Sequence, residues 1–431
     1  MTSARLVDPL RLPCGVTLPN RLLKSAMTEG LADVNDQPTA AHETLYRSWS
    51  QGATGTLITG NVMVDRRYLE RPGNVVVEDD AVLPALQRWA AAGTAAGNQL
   101  WMQISHPGRQ CSRMVTKQPV APSAVQLHLG GMFGAPRALT EAEIEDIIAR
   151  HARTATLAQR AGFTGVQVHG AHGYLSSQFL SPRTNQRTDR WGGSLENRSR
   201  FLREVVRAVR KAVGLTYPVA VKLNSSDFQR GGFGAEESQK VAAALVEDGI
   251  DLLEISGGTY EQLSLLGIDS PDEPMRAQAT REREAYFLEY ASAMRQSARV
   301  PLAVTGGFRT PAAMHTALDA GLLDVIGLAR PLCVEPALSL RLLAGSRDAA
   351  RTDEHALRLA GGVLGPSSAI KTVRALNAQA QTAWYYAQLL QLAAAAQPKL
   401  ELSAAGALLQ HYKREYRLAS ARRARQHTSA T

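Results

Sequence analysis

Two imidazoles and a phenol fall within six residues of this chain, in the order His169-Gly-Ala-His172-Gly-Tyr174. Three readings fit the spacing. Two histidines three apart on a turn could ligate a metal, but no Cys, Asp or Glu lies nearby as a third ligand, which would have to come from another loop. Both imidazoles could instead offer N–H donors to one oxygen and polarise a carbonyl, with Tyr174 placed to supply a proton. The third reading is two rings that satisfy backbone groups in a glycine-rich turn. The cysteines add no metal chemistry: Cys14, Cys111 and Cys333 are far apart, and none forms a C-x-x-C pair for zinc or an iron–sulfur cluster.

Other reactive or backbone-accessible groups recur along the chain: Ala26-Met27-Thr28, Gly60-Asn61, Gln103, Lys222, Ser256-Gly257-Gly258, Gly306-Gly307 and Ala329-Arg330. Singly, each has a plain role. Gln103 could cap a loop, Lys222 could pair with a carboxylate, and each glycine could serve a turn. Thr305-Gly306-Gly307 and Gly327-Leu328-Ala329-Arg330 together fit a phosphate, because small residues let backbone N–H groups approach an anion and arginine adds a charged fork.

All these groups stand at the ends of short apolar runs, and the runs must position them. Eight are legible: Arg21–Ala26, Thr56–Gly60, Gln99–Ile104, Gly165–His169, Pro218–Leu223, Asp251–Ile255, Val300–Val304 and Leu323–Gly327. Amphipathic stretches separate them. Thr140 and Glu143 make a capping box that opens a stripe of Ile144, Ile147 and Ile148 and closes at Gly162. Leu202, Val205, Val206 and Val209 share a helical face, and Thr310-Pro311 begins a helix that Gly321 ends. Eight strands each followed by helical material predict an α/β fold, a (β/α)8 TIM barrel over 1–345, rather than a doubly wound sheet. No Pro/Gly/Ser-rich linker divides the chain into halves. Residues 346–431 read as a C-terminal helical extension without independent domain status. A barrel places its chemistry at the C-terminal ends of its strands, with phosphate after strands seven and eight.

Two connections, Ser105–Ala138 and Gly170–Gly193, are long enough to reach over the barrel mouth, and the second shows no helical period. From about residue 370 the chain is rich in Ala, Leu and Gln and includes Trp384-Tyr385-Tyr386, which predicts an outer helical layer. Its basic end, where Lys413, Arg414, Arg417, Arg422, Arg423 and Arg425 face only Glu415, reads as a solvated or frayed terminus. The whole chain has 431 residues, 45% hydrophobic and 20% charged, with a net charge of +9, too mild to argue for nucleic acid. No stretch approaches the roughly 18 apolar residues of a membrane span, and the start MTSARLVDPLRLP lacks a secretory apolar core. A cytoplasmic protein with no membrane partner is expected.

The long motif around the histidines carries a resemblance. His169-Gly-Ala-His-Gly-Tyr-Leu175, then Phe179-Leu-Ser-Pro182, Asn185, Arg187, Asp189 and Trp191-Gly-Gly-Ser-Leu-Glu-Asn-Arg198, closely resembles the signature of the old yellow enzyme family of flavin-dependent ene-reductases. The resemblance covers about residues 5–345, with Asn20-Arg21, Ala26-Met27-Thr28, Gln103, Gly306-Gly307 and Ala329-Arg330 in matching places. It implies a barrel with one non-covalent FMN, reduced by NADPH or NADH, that passes hydride to the C=C bond of a small activated alkene such as an α,β-unsaturated carbonyl. It further implies that Ala26–Thr28 face the flavin O4/N5 edge, with Thr28 bonding O4. Asn61 belongs to the same cofactor set, Gln103 meets the pyrimidine ring and Lys222 lies near N1 and the C2 oxygen. Gly306, Gly307, Ala329 and Arg330 hold the phosphate. His169 and His172 would be the paired donors to the substrate oxygen, Tyr174 the proton donor, and a homodimer the assembly.

This chain departs from the family pattern in places. Lys222 stands where most members have Arg, so the charge is kept and the planar fork lost. Ala26 and Ala329 replace a frequent Pro and Gly, and Thr28 stands where one branch has a redox-tuning Cys. No separate G-x-G-x-x-G fingerprint follows a strand, so nicotinamide would share the substrate pocket and the kinetics would be ping-pong. Two rival chemistries are weighed: a flavin barrel acting on tRNA, as dihydrouridine synthases do, with Cys111 as acid, and a Schiff-base lyase with Lys222 as nucleophile. Tyr260 and Glu261 are candidates for the pocket entrance, and Arg109, Arg113, Lys117, Arg183 and Arg187 for a nicotinamide 2′-phosphate.

Overall fold

The computed structural model describes residues 5–129, 131–227, 229–256 and 290–428. Eight parallel strands follow the apolar runs: β1 Leu22–Lys24, β2 Thr56–Ile58, β3 Gln99–Ser105, β4 Gly165–Gly170, β5 Val219–Asn224, β6 Leu252–Ser256, β7 Leu302–Thr305 and β8 Val325–Leu328. Each pairs with its neighbour in sequence, and β8 returns to β1, so the sheet closes into a barrel. Because strand side chains alternate, one set points inward. Leu23, Ile58, Trp101, Ala220, Leu252, Ala303 and Val325 pack with Leu12 and Leu18 of an N-terminal hairpin into a core inside the barrel.

The helices with both ends described in the barrel region include α1 Ala40–Gln51, α2 Leu83–Gly93, α3 Glu141–Arg160, α4 Leu175–Leu180, α5 Leu195–Val213, α6 Ala235–Glu247, α7 Pro311–Asp319 and α8 Leu338–Leu343. The capping box at Thr140 and Glu143 opens α3, and Thr310 caps α7. One difference from expectation is α4, which lies inside the Gly170–Gly193 connection. Its six residues are all buried, so no apolar/polar period marks it in the sequence.

The C-terminal extension forms two long helices, α9 Lys371–Ala393 and α10 Ala404–Thr428. The basic end is not a frayed tail. Arg422 is buried and forms an ion pair with Asp36 at 3.0 Å, and Glu415 accepts from Arg71 at 2.5 Å. Alternation of sign across the seam explains the docking: the barrel supplies both Asp36 and Arg71. Lys413, Arg417, Arg423 and Arg425 remain exposed. No helix among the described residues is long and apolar enough to cross a membrane. Removing one partner leaves the other buried and unpaired, so Arg422→Met is expected to destabilise the fold by about 3 kcal/mol. Chemical denaturation checks this, and an unchanged midpoint would contradict a buried ion pair at this seam.

Candidate active site

At the C-terminal mouth of the barrel is a cavity of about 320 Å³. It is lined by Ala26, Met27 and Thr28 after β1, Asn61 after β2, Gln103 on β3 and Lys222 on β5. His169, His172 and Tyr174 contribute from β4 and its turn, Thr305 and Gly306 from β7, and Ala329 and Arg330 from β8. Strand register explains the convergence. Lys222 pairs with His169 on one side and Glu254 on the other, and Gln103 pairs with Gln167, two residues below His169 and on the same face. Gly306 and Gly307 have φ of 132° and 80°, values that favour glycine and turn the chain after β7. Gly257, Gly258, Tyr260 and Glu261 lie outside the described residues.

The histidine turn is held by side chains that the motif alone does not reveal. His172 has φ of 62°, unusual for a residue with a side chain. Asn224 Oδ1 accepts from the His172 backbone N–H at 3.1 Å, and Gln110 Nε2 donates to its carbonyl at 2.9 Å. The Tyr174 ring lies 4.7 Å from the His169 ring.

The hydrogen-bond sequence also fixes which imidazole nitrogens carry protons. Glu70 accepts from Asn61 Nδ2 at 2.7 Å, so the Asn61 oxygen faces His169 and takes the N–H of Nδ1 at 2.8 Å. Burial, His172 and Lys222 push the His169 pKa well down, and burial and then Lys222 lower that of His172 to about 3, so both rings are neutral. His169 Nε2 therefore accepts from His172 Nδ1 at 3.2 Å, and His172 Nε2 accepts from the Ser256 hydroxyl at 2.6 Å.

This differs from a pair of donors aimed at one oxygen. The rings bond to each other, and a shared oxygen would take the Nδ1–H of His172 by replacing that bond. Thr28 differs as well: its hydroxyl donates to Glu70 at 2.8 Å, which leaves its oxygen as an acceptor. Gln103 reaches the cavity while donating to Gln167 at 2.7 Å. Lys222 has the carboxylate partner that its plain reading allowed, Glu254, at 2.9 Å.

Sequence reasoning missed one whole wall. Helix α9 lines the cavity with Gln381, Thr382, Tyr385, Tyr386 and Leu389, so it is not merely an outer layer. Tyr385 donates to Glu354 at 2.7 Å, and Glu354 also binds Arg309 at 2.6 Å and lies 3.7 Å from Arg330. Burial works to raise the Glu354 pKa, but Arg330 and Arg309 bring it down to about 2. Tyr386 is braced by the Arg71 guanidinium 4.3 Å from its centroid and by stacked His411 at 5.5 Å. The adjacent aromatics Trp384-Tyr385-Tyr386 were the available signal. The Ser105–Ala138 connection contributes nothing to the cavity lining among the described residues. Its Arg109 is buried against the Val125 carbonyl, and Arg187 of the later connection binds Asp189 and the carbonyls of Pro122 and Leu139.

Residues 5–348 match the model of the NADH:flavin oxidoreductase / NADH oxidase family. The chain belongs to this family. It is 38% identical over 351 residues to the NADH-dependent flavin oxidoreductase iliE of Hypocrea jecorina, covering 77% of this chain and 86% of that protein. It is 35% identical over 420 residues to iccE of Talaromyces variabilis, another NADH-dependent flavin oxidoreductase, covering 91% and 99%. The second match therefore extends beyond the barrel into the C-terminal helices. Among solved structures, the old yellow enzyme homologue from Zymomonas mobilis superposes with a TM-score of 0.67 at 26% identity, covering 81% of this chain and 95% of that one. Other relatives are longer, and the chain spans about half, 46%, of iliE from Neonectria sp..

As a member of this flavin oxidoreductase family, the protein is an oxidoreductase that uses FMN with a nicotinamide hydride donor. The cavity fits that cofactor chemically. Its lining carries an amide and an ammonium, Gln103 and Lys222, and a glycine turn with an arginine, Gly306 and Arg330, while Gly307, next in the chain, lies outside the lining.

The neutral imidazoles make a stability claim. His172 takes a proton in the unfolded chain below about 6.5 but in the folded protein only near 3, so the unfolded form binds more protons between those values. Stability is expected to fall as pH drops from about 6.5, by up to about 1.4 kcal/mol per pH unit for each such histidine. The His172→Asn variant should show a shallower loss in thermal unfolding midpoints between pH 7 and 4. An identical slope would contradict the neutral state assigned to this ring.

Proposed function

We propose that this flavin oxidoreductase is an ene-reductase that reduces the C=C bond of α,β-unsaturated carbonyls or similarly activated alkenes by a ping-pong mechanism, with NADH as the favoured donor. The observation that carries this reading is that His172, His169 and Tyr174 line the same cavity as Gln103, Lys222, Gly306 and Arg330. Substrate groups and cofactor groups therefore share one chamber. When bound, FMN supplies a two-electron carrier that can take a hydride from nicotinamide and give it to an electron-poor carbon.

The chain's own residues do the rest. His172 turns its Nδ1–H from His169 to the carbonyl oxygen and draws electron density away from Cβ. Asn224 and Gln110 hold the His172 backbone in place, so the donor needs only ring movement. Tyr174, packed on His169 and 1% exposed, delivers a proton to Cα from the face opposite the hydride, giving trans addition. Tyr385 and Tyr386 on α9 close the chamber and limit how nicotinamide and alkene lie in it. One chamber serving both partners supports their alternation. The relatives' names specify NADH, and Arg109 and Arg187 are engaged elsewhere rather than grouped for a 2′-phosphate.

The rival chemistries find less support. Cys111 is fully buried outside the cavity lining, and burial pushes its thiol up to about 12, unlike an acid serving a tRNA base. Lys222 is engaged with Ser25 at 2.8 Å and Glu254, where a Schiff-base lysine would need a free amine.

Tyr174→Phe is expected to slow reoxidation of the reduced enzyme by 2-cyclohexenone about 10²–10⁴-fold while leaving reduction by NADH within about threefold. Anaerobic stopped-flow measurement of the two half-reactions checks this. Equal slowing of both would contradict Tyr174 as proton donor.

A further inference from the structure

Glu254 has no part in the expectations drawn from sequence, yet it sits at the centre of the barrel's polar layer. It has no solvent exposure, and register places it directly beside Lys222. Its Oε1 accepts from Lys222 Nζ at 2.9 Å, from the Ser25 hydroxyl at 2.6 Å and from the Thr305 hydroxyl at 2.6 Å. Its Oε2 accepts from Gln167 Nε2 at 2.7 Å. Space for this cluster is guarded by Gly327, where a Cβ would come within 1.9 Å of Thr305 Oγ1. Burial works to raise the Glu254 pKa, and Lys222 with the hydroxyl donors outweighs it and holds the carboxyl near 2. It is therefore a carboxylate in the working range.

Two consequences reach the cavity. A carboxylate can only accept, so Gln167 must turn its NH2 towards Glu254 and its oxygen towards Gln103. Gln103 then donates its NH2 to that oxygen, and its own carbonyl oxygen is engaged by no described residue. The orientation of the amide at the cavity is thus inherited from Glu254 through Gln167. Likewise, Lys222 gives two N–H bonds to Glu254 and Ser25, and its third is engaged by no described residue on the side where Lys222 lines the cavity. The carboxylate also opposes the ammonium charge at 2.9 Å, within an interior where such charges are weakly screened.

We propose that Glu254 is a positioning residue for the redox step: it fixes the Lys222 ammonium and the Gln103 amide towards the cofactor's pyrimidine end. By opposing the lysine charge, it sets the midpoint potential of bound FMN below the value an unopposed lysine would give. Reduction adds negative charge to the flavin, so Lys222 favours the reduced form and Glu254 disfavours it. The inference rests on FMN occupying this cavity.

The test is the midpoint potential of the FMN-loaded protein, measured by anaerobic titration against a reference dye. Glu254→Gln keeps the shape and removes the charge, and is expected to raise the reduced-to-oxidised ratio at a fixed solution potential about tenfold or more. For a two-electron couple, tenfold corresponds to about 30 mV. Lys222→Met is expected to move the potential the other way. A single substitution can leave a buried charge unopposed and weaken the fold, so Glu254→Gln is also made in the Lys222→Met background, where no ammonium remains. There the carboxyl has lost the lysine that keeps it ionised, so the same change is expected to shift the potential much less than it does beside Lys222. A purely structural carboxylate would alter FMN affinity or thermal stability without these opposed shifts. A potential unchanged or lowered by Glu254→Gln beside Lys222, or a full-sized rise in the Lys222→Met background, overturns the proposal. A wild-type protein that takes up no FMN overturns both the proposal and the cavity's assignment to flavin.

Discussion

A lysine ammonium buried in a closed barrel needs a counter-charge and hydrogen-bond acceptors, and the interior of this protein is arranged around meeting that need. Lys222 and Glu254 occupy register partners on adjacent strands, so the pairing follows from the β5–β6 register itself. Thr305, on the neighbouring strand β7, and Ser25, just past β1, complete the carboxylate's shell, and Gln167 and Gln103 extend it to β4 and β3. Below this layer the barrel is filled with apolar side chains, and above it the cavity opens. The polar layer is thus the floor of the site. Because the carboxylate and the ammonium are paired within it, the layer can hold charge in the interior.

A second set of bonds governs the histidine turn. Glu70 orients Asn61, Asn61 takes the ring N–H of His169, and His169 accepts from His172. In both sets an acceptor-only carboxylate dictates the direction of every hydrogen bond that follows. One set ends at Gln103 and Lys222, the other at the imidazoles of His169 and His172, and all four line the cavity.

Most of the architecture was legible from sequence because the local signals agreed. Each of the eight apolar runs overlaps a barrel strand, ending at most one residue before the strand does, since runs buried on both faces are a property of parallel sheets. The motif residues stand at strand ends because their neighbours in sequence are the strands. What escaped was set by tertiary partners. Glu254 reads as one acidic residue in an apolar run, and only the register puts Lys222 beside it. Asn224 and Gln110 act on His172 from 52 and 62 positions away. Helix α9 carries apolar and aromatic residues that suit an outer layer equally well, and its place in the cavity wall depends on how α10 docks through Arg71 and Asp36. Arg422 of α10 looked solvated because its acidic partner Asp36 lies 386 positions earlier.

The central claim is that one chamber takes nicotinamide and activated alkene in turn over the same flavin. The measurement that addresses it most directly is the visible spectrum of the FMN-loaded protein under strict exclusion of oxygen, titrated first with one equivalent of NADH and then with N-ethylmaleimide. The account predicts bleaching of the flavin band by NADH and its full return with the maleimide, accompanied by one equivalent of the succinimide. A flavin that bleaches but stays reduced in the presence of maleimide and other activated alkenes would contradict it.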